Sequence, residues 1–362
     1  MNKQNIRSNS GGNSKGAARR THPRGNSLRF GLVGAGRIAQ AYMQALRETP
    51  NATLAAVTDI DTEAARAVAS QTGCQEFLSC REMADSGAVD AVIVSTPPVT
   101  HGAISIDFLE RGIPVLCEKP VSTGLEMALQ IRQTAREHNV LFTMGSKFRY
   151  VHDVVKAREI VNSGILGDVV LFENTFMSYV DMSKRWNSDR RVSGGGVFID
   201  NGTHSVDIMR YFIGPLDAIH AVEGPEIQGL SVEETVHVTA RSRGGAVGRM
   251  DLSWSINKQC DDYISIYGSE GTLRVGWKGS FYRQQGCAEW VQFGHGYDKT
   301  QAFREQIANF SAAIQGLEKL VIDADDAVAS VEVIQAGYRA LESDSWTRIE
   351  REDSIPLTVA AA

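Results

Sequence analysis

Residues 28–39 read LRFGLVGAGRIA, and this stretch decides the fold. An apolar strand, Leu28–Val33, runs directly into the pattern G-x-G-x-x-A, formed by Gly34, Gly36 and Ala39 at the start of an amphipathic helix. The first glycine permits a tight turn, the second lets a pyrophosphate approach the backbone, and the alanine allows close helix–strand packing. Phosphates would then bind the free N–H groups at the helix N-terminus. The stretch predicts a βα unit that binds a dinucleotide.

The alternation of strands and helices continues to about residue 144. The predicted strands are Leu28–Val33, Leu54–Thr58, Ala88–Ser95, Pro114–Cys117 and Val140–Met144, and the predicted helices are Ile38–Arg47, Thr62–Ser70, His101–Arg111 and Leu125–His138. The strands are β-branched and almost continuously apolar, which is typical of a parallel sheet covered on both faces. This half is therefore predicted to be a doubly wound parallel sheet of the Rossmann type.

The pattern changes beyond Tyr150. The predicted elements are a helix at Asp153–Asn162, strands at Val169–Thr175, Thr235–Ser242, Ala246–Ile256 and Tyr263–Val275 (with a GSEG hairpin turn), and helices at Gln301–Gln315 and Ala324–Leu341, the last capped by Asp323. We expect a mostly antiparallel open sheet with helices on one face. The predicted segments are a disordered basic tail (1–27), a dinucleotide-binding domain (28–148), an α+β domain for substrate binding and oligomerisation (149–350), and a C-terminal tail (351–362).

Charge and cysteine usage exclude several classes of protein. The net charge of the 362 residues is −6, but residues 1–28 carry +6, so the rest of the chain carries −12. A body this acidic is a poor partner for nucleic acid or anionic lipid, and no apolar run is long enough for a membrane span. The five cysteines show neither disulfide-type nor metal-type spacing, and the histidines form no H-x-x-H pattern. We therefore predict a cytoplasmic protein without a metal site.

Asp59 follows the second predicted strand, 23 residues after Gly36. A carboxylate at that position accepts hydrogen bonds from the adenosine ribose hydroxyls and repels a 2′-phosphate. The sequence therefore favours NAD over NADP. Because Arg37 or Arg66 could reach toward a phosphate, NADP is not excluded.

Two further stretches carry candidate catalytic side chains. Glu118-Lys119-Pro120 follows a predicted strand of the parallel sheet, and ligands of such sheets bind at the carboxyl ends of the strands. The same residues could also form only a solvated ion pair before a helix. In the second stretch, GGGVFIDNGTHSVD, the spacing of Asp200, His204 and Asp207 puts them on one face of a helix. A carboxylate one turn from an imidazole can orient it, but a capped helix with a surface histidine is the open alternative.

Taken together, these motifs resemble those of the Gfo/Idh/MocA oxidoreductases. In the order of that family, the chain carries G-x-G-x-x-A, Ser95-Thr96-Pro97-Pro98, Glu118-Lys119-Pro120, G-x-x-x-R-Y ending at Tyr150, and G-G-G-x-x-x-D-x-G-x-H-x-x-D. The resemblance covers about Leu28 to Leu341. It departs at the basic tail and at residues 177–192, which match no subfamily pattern.

The resemblance implies that Lys119, Asp200 and His204 form the catalytic set and that Asp207 and Arg149 lie at the substrate. Trp186 and Asn174 are further candidates for substrate binding. The predicted cofactor-binding residues are Gly34, Gly36, Arg37, Ile38, Asp59, Ser95, Thr96, Pro97, His101, Glu118 and Lys119.

The predicted reaction is an NAD(P)-dependent hydride transfer between nicotinamide and a secondary alcohol of a sugar, cyclitol or sugar derivative. Two alternatives stay open: a glycosidase that oxidises its sugar transiently with bound NAD, and a dinucleotide-sensing regulator without catalysis. An open sheet face rich in Val, Ile, Trp and Tyr would leave a large apolar patch in a monomer. We therefore expect a homodimer or homotetramer assembled through that sheet.

Overall fold

The structure is a computed structural model, and it describes residues 27–350. The predicted basic tail (apart from Ser27) and the predicted C-terminal tail lie outside the described residues. In the described part, no helix combines the length and the apolar character that crossing a membrane requires.

The first part of the chain alternates strands and helices as predicted. Its elements are β1 (Leu28–Val33), α1 (Arg37–Glu48), β2 (Ala52–Thr58), α2 (Thr62–Thr72), β3 (Gln75–Glu76), α3 (Cys80–Asp85), β4 (Ala91–Val94), α4 (Pro98–Glu110), β5 (Val115–Glu118), α5 (Leu125–Glu137) and β6 (Phe142–Gly145).

These strands form one six-stranded parallel sheet in the order β3-β2-β1-β4-β5-β6. This order places a topological switch point between β1 and β4, the place where doubly wound folds bind dinucleotides. All four residues of β4 are buried, and they alternate between two cores: Ala91 and Ile93 pack on the α1 side, Val92 and Val94 on the α5 side. The prediction of a doubly wound parallel sheet is confirmed.

The second part contains a 3-10 helix (Lys147–Tyr150), α6 (His152–Asn162), β7 (Val169–Met177), a 3-10 turn (Trp186–Ser188), α7 (Arg190–Ser193), α8 (Val197–Ile213), β8 (Leu216–Glu223), β9 (Thr235–Ser242), β10 (Val247–Ser253), β11 (Asp262–Gly268), β12 (Gly271–Gly276), β13 (Ser280–Gln284), β14 (Val291–Gly294), α9 (Lys299–Ile314), α10 (Ala324–Ser343) and β15 (Thr347–Arg348).

These strands form a nine-stranded sheet in the order β14-β13-β12-β11-β7-β10-β9-β8-β15. Only β7 and β10 pair in parallel, so the sheet is mostly antiparallel, as predicted. The GSEG turn does join β11 to β12. Asp323 caps α10, accepting hydrogen bonds from the backbone N–H groups of Asp325 (2.9 Å) and Asp326 (3.0 Å).

One face of this sheet packs on α8 and α10, while the other is open and carries both charged and apolar residues. In β9, Val236, Val238 and Ala240 are buried toward the helices. The residues between them belong to the opposite face because side chains alternate along a strand. The open face carries cross-strand ion pairs: His237–Asp251, Arg249–Glu173 and Arg241–Asp217. Val222 and Val247 alternate with the buried Ala221 and Gly248, so they lie on the same open face and are 48% and 38% exposed. The expected apolar open face is therefore present only in part, because charged residues interrupt it.

The two halves share a core. Phe303, Ile307 and Phe310 of α9 pack with β1 and α1 of the first sheet, and Phe310 lies 6.2 Å from Phe30, centroid to centroid. On the opposite side, the first turns of α10 pack beside α5. The C-terminal helices thus complete both layers of the N-terminal half.

Candidate active site

The turn between β1 and α1 lies at the edge of a long cleft of about 1230 Å³. Gly34 has a φ of +99°, a left-handed conformation that favours glycine. A Cβ there would lie 2.8–2.9 Å from the backbone of Ser95 and Thr96, so that loop can approach only a glycine. Nothing lies within 4 Å of a Cβ built on Gly36, so the backbone is open to the cleft at that point.

The N-terminus of α1 is built to receive an anion. Its N-cap, Gly36, offers no side-chain hydrogen bond, and the first turn contains no acidic residue. The first N–H groups of a helix have no partner within the helix and carry the positive end of its dipole. This open, uncapped terminus fits a dinucleotide pyrophosphate.

Asp59 lies at the same cleft. Its carboxylate accepts hydrogen bonds from the backbone N–H groups of Ala35 (2.6 Å) and Asp61 (2.8 Å), which hold it beside the glycine turn. Arg66 pairs with Glu63 and Glu76 and does not line the cleft. Of the two arginines considered for a 2′-phosphate, only the exposed Arg37 lines it. These contacts support NAD over NADP.

Two large apolar side chains, Ile60 and Leu78, line the cleft and are strongly exposed. They provide apolar contacts of the kind that an adenine ring needs, and they were not among the predicted residues. The cleft is also lined by Val33, Gly34, Gly36, Arg37, Ile38, Asp59, Ser95, Thr96, Pro97, residues 184–187, Asp200 and Lys299. Residues 184–187 include Trp186, so the segment that matched no subfamily borders the predicted cofactor site rather than a remote surface.

His101, predicted to contact the cofactor, instead bridges two loops. Its Nδ1 lies 2.8 Å from the carbonyl oxygen of Pro120 and its Nε2 lies 2.7 Å from that of Thr96. The ring is buried and does not line the cleft. It holds the loop after β4 against the loop after β5, so any effect on a cofactor would act through Thr96.

Beyond the long cleft lies a smaller space of about 400 Å³, here called the inner cavity. It is lined by Ile38, Glu118, Lys119, Gly145, Lys147, Phe148, Thr175, Phe176, Met177, Ser178, Asp200, Asn201, His204, Lys258, Cys260, Trp277 and Phe303. Ile38 and Asp200 line both spaces, which therefore adjoin. The volume is in the range of small-molecule sites.

The structure brings the three predicted catalytic residues together at the inner cavity. Lys119, one residue beyond β5, donates to the carboxylate of Asp200 (2.5 Å) and to its backbone carbonyl (3.0 Å). Asp200 lies in the first turn of α8, and His204 follows one turn later. The lysine and the aspartate keep 15% and 23% of their side-chain surface exposed, so both remain accessible to a ligand.

His204 is almost fully buried and uncharged. Its Nδ1 lies 3.5 Å from the Ser146 hydroxyl, and its ring meets the Phe148 ring edge-on, 5.1 Å between centroids. Burial, together with the positive charges of Lys147 and Lys119, holds the pKa of His204 well below its usual range. A neutral imidazole with Nδ1 toward Ser146 leaves Nε2 to accept a proton from a ligand.

Glu118 lies behind the lysine. Its carboxylate accepts a hydrogen bond from the buried Tyr42 hydroxyl (2.7 Å) and one from the backbone N–H of Lys119 (3.2 Å). Burial raises its pKa. Glu118 borders the inner cavity rather than the long cleft.

The motif G-x-x-x-R-Y led to the prediction that Arg149 binds substrate. In the structure, the residues of this motif that surround His204 are Ser146, Lys147 and Phe148. Successive residues of a 3-10 helix point about 120° apart, so Arg149 turns away from the cavity. It forms a bidentate ion pair with Asp207 (3.0 and 2.6 Å) and also bonds to Asp326. Asp207 is fully buried.

Neither Arg149 nor Asp207 lines the inner cavity. Their predicted contacts with substrate stay predictions. Asn174 is buried, and its amide donates to the carbonyl of Tyr263 (2.8 Å), again outside the lining. Trp186 is 45% exposed and borders the long cleft. Its role also stays a prediction.

Comparison with known proteins gives consistent matches along the chain. A sequence model described as the GFO/IDH/MocA oxidoreductase family with an NAD-binding Rossmann fold matches residues 28–146, and one described as the GFO/IDH/MocA C-terminal domain matches residues 154–274.

Curated relatives match over most of their length. The chain is 28% identical to the rhizopine catabolism protein MocA of Rhizobium meliloti, over 88% of this chain and 96% of that protein. It is 25% identical to an inositol 2-dehydrogenase of Rhizobium meliloti strain 1021, over 87% of this chain and 97% of that protein. Among solved structures, levoglucosan dehydrogenase in complex with NADH superposes with a TM-score of 0.84 at 19% identity, covering 90% of this chain and 99% of that one.

Proposed function

The chain belongs to the GFO/IDH/MocA family of NAD-binding oxidoreductases, and on that premise we propose that it oxidises a secondary alcohol of a sugar, cyclitol or sugar derivative with NAD. The observation that carries the proposal is the meeting of Lys119, Asp200 and His204 at a cavity adjoining the predicted dinucleotide cleft. The chemistry of these three side chains suits alcohol oxidation.

The residues that would hold NAD are the uncapped N-terminus of α1 at Gly36 for the pyrophosphate and Asp59 for the adenosine ribose. When bound, NAD supplies a nicotinamide ring that can accept a hydride from the alcohol carbon.

His204 takes the hydroxyl proton of the substrate. Its lowered pKa keeps the imidazole unprotonated at neutral pH, so it can act as a general base. Ser146 at Nδ1 and the Phe148 ring fix the imidazole plane. The proton would therefore be accepted at Nε2.

Lys119 stabilises the negative charge that develops on the same oxygen. Its ammonium donates to Asp200, which fixes its position, while its exposed surface faces the inner cavity. A fixed positive charge aimed at a developing oxyanion is worth more in a shielded cavity than in water. Asp200 acts through Lys119 and is a positioning residue in this mechanism.

The two alternatives gain no support. The regulator would be expected to lack the lysine or the histidine, and both line the cavity. Of the relatives reported above, two are named dehydrogenases and none a glycosidase.

Formation of reduced nicotinamide, followed by its absorbance band in stopped flow with a panel of polyols and sugars, tests the proposed activity. We expect a burst with at least one member and its loss in the His204→Asn variant. Failure of every member to reduce NAD would refute the proposal.

We also propose that the protein is cytoplasmic and assembles as a homodimer or homotetramer through its second sheet. All five cysteines lie in the described part and are unpaired, which fits a reducing compartment. Because the open face carries ion pairs as well as exposed valines, both would meet their copies in such an assembly. Light scattering of the purified protein in low and high salt measures the assembly.

A further inference from the structure

One charged group in the inner cavity is not used by the proposed mechanism. Lys147 opens the 3-10 helix that follows β6, between Ser146 at the His204 imidazole and Phe148 at its ring edge. Its ammonium lies 4.8 Å from the centroid of the Phe148 ring, and the residue lines the cavity together with Lys119 and His204. Two ammonium groups therefore flank one imidazole.

The other charges of the cavity have partners. Lys119 pairs with Asp200 at 2.5 Å, and Lys258 pairs with Asp251 at 2.6 Å. The buried carboxylate of Glu118 accepts hydrogen bonds from Tyr42 and from the Lys119 backbone.

Lys147 has no such partner. Within residues 27–350 its ammonium forms no ion pair: it lies over the Phe148 and Phe303 rings, and the carboxylates of Glu118 and Asp200 act on it only through space. Burial and the positive charge of Lys119 are unfavourable to its charged form and lower its pKa to about 8. Charged groups in sheltered sites are normally paired, so this ammonium is well placed to bind an anionic group of a ligand.

The rest of the lining suits a small hydroxylated molecule. Thr175, Ser178 and Asn201 offer hydrogen-bonding groups, while Phe176 and Trp277 offer flat apolar surfaces. The volume of about 400 Å³ accommodates a single sugar-sized ring rather than an oligosaccharide.

We propose that the substrate of this cavity carries an anionic group, a carboxylate or a phosphate, which binds the Lys147 ammonium while a secondary hydroxyl lies at Lys119 and His204. The inference rests on the proposed function and narrows its substrate class from neutral polyols to sugar acids or sugar phosphates. Lys147 would then be a specificity-determining residue. Charge-assisted hydrogen bonds of this kind are about twice as strong as neutral ones.

Matched pairs of sugars test this inference in the NAD-loaded protein. D-Glucose, D-glucuronate and D-glucose 6-phosphate differ only at the last carbon, and the galactose series provides a second stereochemistry. We expect the acid or the phosphate to have a kcat/KM at least tenfold above that of its neutral counterpart. The carboxylate and phosphate arms identify which anion the site takes.

Binding is measured separately, by calorimetric titration of each compound into the protein saturated with NADH. In Lys147→Met the dissociation constant of the preferred anion should rise by roughly 10- to 100-fold, and Lys147→Arg should restore most of the affinity. Lys156→Met is the control, since Lys156 is exposed, donates to the Phe293 carbonyl and does not line the inner cavity.

The outcomes separate the two proposals. If neutral sugars are oxidised and no anion binds more tightly than its neutral counterpart, the inference is overturned and the proposed function stands. If no compound reduces NAD but an anionic sugar binds with an affinity that depends on Lys147, the anion site is supported and the proposed oxidoreductase activity is refuted. Equal affinity of Lys147→Met and the unaltered protein for every anion would also overturn the inference.

Discussion

The ammonium nitrogen of Lys119 lies 2.5 Å from a carboxylate oxygen of Asp200, although 81 residues of chain separate them. The lysine follows a strand of the first sheet and the aspartate begins a helix that packs on the second. The contact therefore exists only when both halves are folded and docked. The proposed catalysis depends on that docking.

Removal of the Lys119 ammonium should reduce turnover without unfolding the protein. We expect Lys119→Met to lower kcat by roughly 10²–10³-fold, because the developing negative charge loses its fixed cation. Since Asp200 acts through Lys119, adding Asp200→Asn to Lys119→Met should cost little more. Stopped-flow turnover of the single and double variants measures this coupling, and strictly additive losses would contradict the positioning role of Asp200.

The pH dependence of kcat/KM should reflect the environment of His204. Burial and two nearby ammonium groups hold the imidazole neutral, so alcohol oxidation should stay level as pH falls through about 6.5, the usual histidine pKa, and decline only below it. Lys147→Met removes a positive charge that opposes protonation. The pKa of His204 should then rise, and the acid limb of the profile should move to higher pH. An unchanged acid limb in that variant would contradict the electrostatic effect of Lys147 on His204.

A second pH effect concerns binding of an anion at Lys147. The charged groups around its ammonium are Lys119, Glu118, Lys299 and Asp200, with His204 across the cavity. Because the pKa of Lys147 is about 8, the free site loses its positive charge as pH rises through that value. The affinity for glucuronate should fall above pH 8, whereas Lys147→Arg should keep its affinity. Calorimetric titrations at several pH values compare the two proteins.

The ion pair between Arg149 and Asp207 should contribute to stability rather than to catalysis. Both side chains are buried, and breaking such a pair costs about 3–5 kcal/mol where the remaining charge is left unpaired. Because Arg149 still pairs with Asp326, we expect Asp207→Asn to lower the free energy of unfolding in urea denaturation by less than that, about 1–3 kcal/mol. A large rise in KM with no loss of stability would instead support a substrate contact.

Asp59 should set the choice between NAD and NADP. In Asp59→Ser the carboxylate that would meet the ribose hydroxyls and repel a 2′-phosphate is gone. We expect the preference for NAD over NADP to shrink by roughly 10-fold or more. Arg66→Met is the matched control, because Arg66 is held by Glu63 and lies outside the cleft. The ratio of kcat/KM for the two cofactors is the measurement.

The first sheet was predictable because its signals are local. Five of its six strands are short apolar runs, and the glycine turn and Asp59 lie at fixed distances along the chain. The exceptions are β3, which consists of two polar residues, and the short helix α3, and neither was predicted. The strand Leu216–Glu223 was missed because Asp217 and His220 interrupt its apolar pattern. The charged residues of the open face were not predicted for a related reason: the strands are rich in apolar residues overall, but most of those residues alternate toward the helices.

The inner cavity was only partly predictable. Lys119, Asp200 and His204 could be found from motifs. Lys147 could not, because the direction of its side chain depends on the 3-10 geometry after β6. No periodicity in the sequence distinguishes that turn from an α-helix, in which Lys147 and Arg149 would point in other directions. Ile60 could have been found as an apolar residue between two aspartates directly after a predicted strand, whereas no such signal marks Leu78.

The N-terminal half cannot complete its hydrophobic core during synthesis until helix α9 has been made. The side of β1 and α1 that Phe303, Ile307 and Phe310 cover stays bare while the intervening residues emerge from the ribosome. At about 5–20 residues per second this interval lasts roughly 13–50 s. Until then this apolar surface is exposed and prone to aggregate. A chain released from the ribosome between the two sheets would therefore be an aggregation-prone fragment rather than an independently folded nucleotide-binding domain.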